Sequence, residues 1–127
     1  MHILLTGAAG YTGRGLARVL STRHTVRGLD VKDSDALVDL RLGSLEDLAF
    51  CRTALEGIDA VVMCHMAPNP DAYETPPPAI DVNVKGTANL YHAMTEREMK
   101  RAVLISTRGV LLPEPKADAV PGEGPYH

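Results

Sequence analysis

The chain has 127 residues, 45% hydrophobic and 23% charged, with a formal net charge of −3. That length suits one domain with a real core, and the slightly acidic balance offers no basic footprint for nucleic acid. No apolar run approaches the roughly 20 residues that span a bilayer, and glycine-rich sequence follows Ile3–Leu5 too soon for a secretory signal, so no membrane partner is expected.

Cys51 and Cys64 form neither a CxxC pair nor a disulfide framework, which points to buried thiols in a reducing, cytoplasmic setting. The histidines are scattered without metal-ligand spacing, so no metal site is expected.

In chain order, "HILLT" (2–6) reads as a buried strand and "YTGRGLARVLST" (11–22) as a helix with Leu16, Val19 and Leu20 inward. "TVRGLD" (25–30) is a second strand and "ALVDL" (36–40) a weaker third. "LEDLAFCRTALEG" (45–57) reads as a helix closed by Gly57. "IDAVVMC" (58–64) is apolar almost throughout, as a parallel strand covered on both faces should be. The Pro-rich stretch 68–78 is a connection that no helix or central strand can occupy. Ile80, Val84, Thr87, Tyr91 and Met94 then recur at helical spacing, giving a helix over 80–95 whose outer face shows no clear apolar stripe. "AVLIS" (102–106) is a fifth strand, and the remainder, rich in Pro and Gly, reads as loop. This alternation implies an α/β fold, a Rossmann-like doubly wound parallel sheet that stops after its fifth strand.

The first turn carries the chemistry. Gly7, Gly10 and Gly13 leave a strand and enter a helix, the placement a dinucleotide loop requires. Gly7 would allow the tight turn, Gly10 a close approach of backbone to a pyrophosphate, and Gly13 close packing of helix on strand. Phosphates would then sit at a helix N-terminus, where unpaired N–H groups and the dipole favour negative charge. Asp30 ends the second strand; a carboxylate there accepts ribose hydroxyls and repels a 2′-phosphate. The expected cofactor is NAD, with NADP less favoured, although Arg27 and Lys32 lie close by in sequence.

Read as "TGAAGYTG", the loop has the TGxxGxxG spacing of the extended short-chain dehydrogenases/reductases, the NAD-dependent epimerase/dehydratase group. Further similarities follow in order. "GSLED" (43–47) resembles the family's GDLxD segment along the adenine, and "EGIDAVVMCHMAPNP" (56–70) its fourth strand with the HLAA segment beneath the nicotinamide half. "NVKGTANLYHA" (83–93) is similar to the NVxGTxNLLEA helix, and "KRAVLISTRGV" (100–110) to the strand ending in the active-site Ser/Thr. The resemblance thus implies cofactor contacts from Gly7, Gly10, Tyr11, Thr12, Gly13, Asp30, Val31, Ser44, Leu45, Cys64, His65, Met66 and Asn83.

There are departures. Ser44 stands where the family usually has Asp, a weaker acceptor for the adenine amino group. Aligned without a gap, Met63-Cys64-His65-Met66 replaces His-Leu-Ala-Ala and puts bulk where small residues usually admit ribose; a shifted register would match His65 to the family histidine instead.

For catalysis the resemblance implies Thr107, with Ser106 beside it, as the hydroxyl that holds the substrate, and Tyr126 in "GEGPYH" as the tyrosine of the SPYGxSK motif. A tyrosine titrates near 10 unless a neighbouring cation lowers it, and the family lysine would fall at position 130, so the chain reads as the first part of a longer protein, inactive alone. The implied activity is hydride transfer on a sugar, nucleotide sugar or related hydroxyl compound, as oxidation, epimerisation or dehydration. A non-catalytic NAD(P)-binding or redox-sensing protein is the alternative. The family often dimerises through helices that include the one at 80–95, which makes a homodimer a further expectation.

Overall fold

The computed structural model describes residues 1–67 and 76–106. Strands β1 (His2–Thr6), β2 (Thr25–Asp30), β3 (Asp39–Leu42), β4 (Ala60–Met63) and β5 (Ala102–Leu104) form one five-stranded sheet in the order β3-β2-β1-β4-β5. Every pairing is parallel, with Thr6 opposite both Leu29 and Met63. The strand order reverses between β1 and β4, which is where open α/β sheets form a ligand crevice.

β1 is central, and its residues alternate between two cores because successive strand side chains point to opposite faces. Leu4 joins Leu29, Val61, Met63 and Leu55 under helices α2 (Leu48–Ala54) and α4 (Thr87–Glu96). Leu5 joins Ala8, Val26 and Ala17 under α1 (Tyr11–Leu20).

Several elements differ from the sequence expectation. α1 buries Gly13 and Ala17 with Leu16 and Leu20 partly covered, while Val19 is 68% exposed. Close approach at Gly13 sets the buried face, and at 3.6 residues per turn Val19 lies roughly 120° around from it. β3 begins at Asp39 rather than residue 36, because Arg27 of β2 pairs with Asp39 in register and bonds its carboxylate at 2.8 Å. α2 begins at Leu48, since Asp47 Oδ1 accepts from the Ala49 and Phe50 amides and so caps the helix there.

The helix expected over 80–95 is longer and has three parts. Four residues of α3 (Pro76–Ala79), at the end of the Pro-rich stretch expected to hold no helix, lead into a π-helical segment (Ile80–Gly86) and then α4; prolines fit there because the first turn of a helix leaves its N–H groups unpaired anyway. Its buried side consists of Gly86, Leu90, Ala93 and Met94, while Ile80, Val84 and Tyr91 are exposed and make an apolar outer stripe. Among the described residues no helix is long and apolar enough to cross a membrane.

Candidate functional site

The turn leaving β1 is shaped by the absence of side chains. Gly7 has φ +66°, and a Cβ on it would lie 2.7 Å from the Cys64 carbonyl oxygen and 2.8 Å from His65 Cα. The Gly10 N–H closes the turn onto the Gly7 carbonyl at 3.0 Å. A Cβ on Gly13 would overlap that same carbonyl, so α1 starts directly against the loop. Gly10 is the N-cap and offers no side chain to the helix start, and the first turn carries no acid. The first N–H groups of α1 and the positive end of its dipole are therefore left for an external anion.

Asp30 is tied to this loop. Its Oδ2 accepts from the Ala9 N–H at 2.9 Å and its Oδ1 from the Lys32 N–H at 3.0 Å. An ionised carboxylate has about four acceptor positions, so both oxygens retain capacity for further donors. Arg14 Nε donates to the Ala9 carbonyl at 3.1 Å, gripping the other end of the same residue. Arg27, close to Asp30 in sequence, is engaged elsewhere: besides Asp39 it donates to the carbonyls of Ala54 and Glu56.

Around the turn opens a cleft of about 400 Å³. Gly7, Gly10, Tyr11, Thr12 and Gly13 line it from the loop and α1, Asp30 and Val31 from the end of β2, and Ser44 and Leu45 from the end of β3. Cys64, His65 and Met66 line it from beyond β4. Asn83 is the one expected cofactor residue on the described chain that does not line it; its Oδ1 instead accepts from the Ala67 N–H at 2.9 Å. Ala9, Leu29, Lys32, Gly43, Ala67 and Val82 also line the cleft, although none was named as a cofactor contact from the sequence. Gly43 carried a legible signal, a glycine at a strand end; there the Phe50 ring lies 2.5 Å from where a Cβ would be.

The walls are held from behind. Ser44 Oγ donates to Glu46 Oε1 and accepts from the Glu46 N–H, each at 3.2 Å. Asn89 of α4, not anticipated, donates through Nδ2 to the carbonyls of Leu45 and Glu46 at 2.9 and 3.0 Å. On the floor, the Cys64 thiol donates to the Thr6 carbonyl at 2.9 Å, and burial pushes its pKa up, with the charge of Asp30 adding to the rise. His65 lies between Thr6 Oγ1, 2.7 Å from Nδ1, and Thr87 Oγ1, 2.9 Å from Nε2. Burial holds its pKa below the ordinary value, which favours the neutral ring.

Of the expected catalytic residues, Ser106 is exposed just past β5, where the neighbouring Ile105 N–H donates to the Met63 carbonyl. Thr107 and Tyr126 lie outside the described residues.

An L-arabinose 1-dehydrogenase (NAD(P)(+)) from Haloferax volcanii is 34% identical over 109 residues, covering 86% of this chain and 42% of that protein. The N-acetyl-alpha-D-glucosaminyl-diphospho-ditrans,octacis-undecaprenol 4-epimerase of Escherichia coli O157:H7 is 29% identical, covering 86% of this chain and 33% of that one. Among solved structures, a short-chain dehydrogenase/reductase superfamily protein from Agrobacterium tumefaciens with bound NAD has TM-score 0.69 at 34% identity, over 82% of this chain and 32% of that one. MoeE5 in complex with UDP-glucose and NAD has TM-score 0.77 at 26% identity, over 87% of this chain and 38% of that one. The chain thus spans less than half the length of these relatives. Nearly the whole parallel sheet, the glycine turn and the acid that ends β2 fall within residues 3–126, which match the NAD dependent epimerase/dehydratase family; the chain belongs to that family.

Proposed function

We propose that residues 1–127 form the dinucleotide-binding domain of an enzyme that uses NAD for hydride transfer on a sugar, nucleotide sugar or related hydroxyl compound. The observation that carries this reading is the shared cleft: the uncapped start of α1 and the Asp30 carboxylate open onto the same space. Gly7, Gly10 and Gly13 would leave room for a pyrophosphate against the α1 N–H groups, and Asp30 would accept from ribose hydroxyls. The engagement of Arg27 with Asp39, Ala54 and Glu56 supports NAD over NADP, because it removes one of the two neighbouring cations that could neutralise a 2′-phosphate; Lys32 remains at the cleft.

Bound NAD would supply the hydride acceptor. Thr107 or Ser106 would hold the substrate oxygen, and Tyr126 would take or return its proton, its pKa lowered by a neighbouring ammonium. The sugar class is supported by relatives named as an arabinose dehydrogenase and a glucosaminyl epimerase. The exposed stripe of Ile80, Val84 and Tyr91 supports association of two copies through that helix.

Calorimetric titration of the intact protein tests the cofactor. NAD should bind more tightly than NADP, and Asp30→Ala should weaken NAD on the order of tenfold, the loss of a charge-assisted hydrogen bond pair. No binding of NAD, or equal binding by Asp30→Ala, would overturn the reading. Tyr126→Phe should abolish turnover while the circular dichroism spectrum stays unchanged. The bulk of His65 and Met66 along the cleft favours a second reading, a binding protein without turnover, to which an NAD-binding wild type lacking hydride transfer would point.

A further inference from the structure

Hydrogen-bond accounting fixes the tautomer of His65. The Thr87 hydroxyl has a single proton and gives it to the Asn83 carbonyl at 2.7 Å. It can therefore only accept from His65 Nε2, so that nitrogen carries the ring hydrogen. In the neutral ring Nδ1 is then bare and accepts from Thr6 Oγ1. Thr6 is fully buried at the end of β1, and the donors run in one direction from it through His65 and Thr87 to the Asn83 carbonyl. Asn83 closes the circuit by accepting from the Ala67 N–H.

The segment from Cys64 to Ala67 is thus held at three points: the Cys64 thiol on Thr6, the His65 ring, and the Ala67 amide. It is also the segment against which Gly7 closes, with no room for a methyl group between Gly7 and His65 Cα. This floor lines the cleft from Cys64 to Ala67 and meets the glycine turn at Gly7.

We infer that His65 is a positioning residue: spanning Thr6 and Thr87 as its Nε2–H tautomer, it sets the Cys64–Ala67 floor at the height that receives the dinucleotide, and it transfers no proton in the reaction. This rests on the reading of the cleft as an NAD site. A histidine in a cleft is ordinarily a candidate acid or base. Here both ring nitrogens are engaged inside the protein, and burial disfavours the charged form. Tyr11, Asp30, Lys32 and Cys64 are the titratable side chains that share the cleft with it; burial alone shifts the ring.

Nitrogen-15 NMR of histidine-labelled intact protein should show the Nε2–H pattern for this ring at about pH 7.5, with its titration falling below the ordinary value of about 6.5. His65→Phe keeps a ring and loses both bonds, so its Kd for NAD should rise on the order of tenfold. His65→Gln should recover most of that affinity, because an amide can accept from Thr6 and donate to Thr87. Met99→Ala, trimmed against the core, should lower the melting temperature and leave the Kd unchanged. That contrast separates positioning from a general loss of stability.

An Nδ1–H ring, a ring titrating at or above about 6.5, or His65→Phe binding NAD within about twofold of wild type overturns the inference. Should His65→Phe not fold, Thr87→Val gives the same comparison from the other end of the bond. A wild type that binds no NAD overturns the proposed cofactor and this inference together, whereas tight binding by both wild type and His65→Phe overturns the inference alone.

Discussion

A methyl group added at Gly13 would land on the Gly7 carbonyl, whereas one added at Gly15 meets nothing within 4 Å. Gly13→Ala must push α1 off the loop, an overpacking that costs about 1–3 kcal/mol. Gly15→Ala should instead stabilise by about 0.5–1 kcal/mol, because alanine loses less backbone freedom in an exposed helix interior. Urea denaturation of the two variants checks both signs, and a neutral Gly13→Ala would contradict the close approach. The TGxxGxxG spacing already set Gly13 apart from Gly15 in the sequence. The partners of His65 were not legible, because Thr6 and Thr87 are 59 and 22 residues away in the chain. Nor was the engagement of Arg27: it lies three residues from Asp30 on one strand, so their side chains point to opposite faces of the sheet. The thiols give a second expectation. Burial, with Asp47 adding, pushes Cys51 up to about 11, and burial with Asp30 adding lifts Cys64 as well. Since the thiolate is the reactive form, iodoacetamide at about pH 8 should label both cysteines in urea and neither in the folded protein. Rapid labelling of folded Cys64 would contradict the bond from its thiol to Thr6.

At the scale of elements, the sequence pattern located every strand and the helices α1, α2 and α4, but missed α3 and did not always place an element's ends or its buried face. Ile80, Val84, Thr87, Tyr91 and Met94 have helical spacing, yet of these only Met94 is buried, with Leu90 and Ala93, and the outer face, expected to show no clear apolar stripe, carries Ile80, Val84 and Tyr91. Two apolar stripes on one helix cannot be ranked by periodicity alone, and the π-helical turns over Ile80–Gly86 shift the phase between them. The choice is made by what lies opposite: Gly86 lets the helix approach until its missing Cβ would be 2.9 Å from Leu45 Cβ, and Asn89 bonds the carbonyls beside it. β3 moved for a similar reason, since the Arg27–Asp39 pair decides the register and depends on an adjacent strand. Asn89→Leu would leave the Leu45 and Glu46 carbonyls without their shared donor, and a lost hydrogen bond of this kind costs about 1–3 kcal/mol. The expected result is a lower urea midpoint together with weaker NAD binding, because the released segment forms the Ser44–Leu45 wall of the cleft. Unchanged NAD affinity in a folded Asn89→Leu protein would separate that wall from the site.

Across the whole molecule, the site meets the sheet at the ends of β1, β2, β3 and β4, and acid should loosen the boundary between β1 and β4 before the rest. His65, which bridges the end of β1 to α4, is held by burial below its ordinary 6.5. Asp39, which ties β3 to β2, is held below 3.8, first by its hydrogen bond from Arg27 and further by Arg41, with burial opposing. In both cases the unfolded chain binds the proton more tightly than the folded one, so stability rises with pH across each window. The His65 contribution is complete above about pH 6.5 and drains as pH falls from there toward the lower folded value. The Asp39 contribution is complete above about pH 3.9 and is lost as pH falls through its own depressed value. Glu96 shifts the same way, through Arg52 first and then His92, but that cluster is solvent-exposed and salt-screened. Melting temperature measured at high salt should therefore stay level between about pH 7 and 8, then fall on acidification, in a first stage below about pH 6.5 and a second below about pH 3.9. His65→Gln should remove the first stage and leave the second, and Asp39→Asn should do the reverse. A melting temperature that climbs as pH drops below about 6.5, or a first stage that survives in His65→Gln, would mean that the neutral histidine is not what ties the end of β1 to α4.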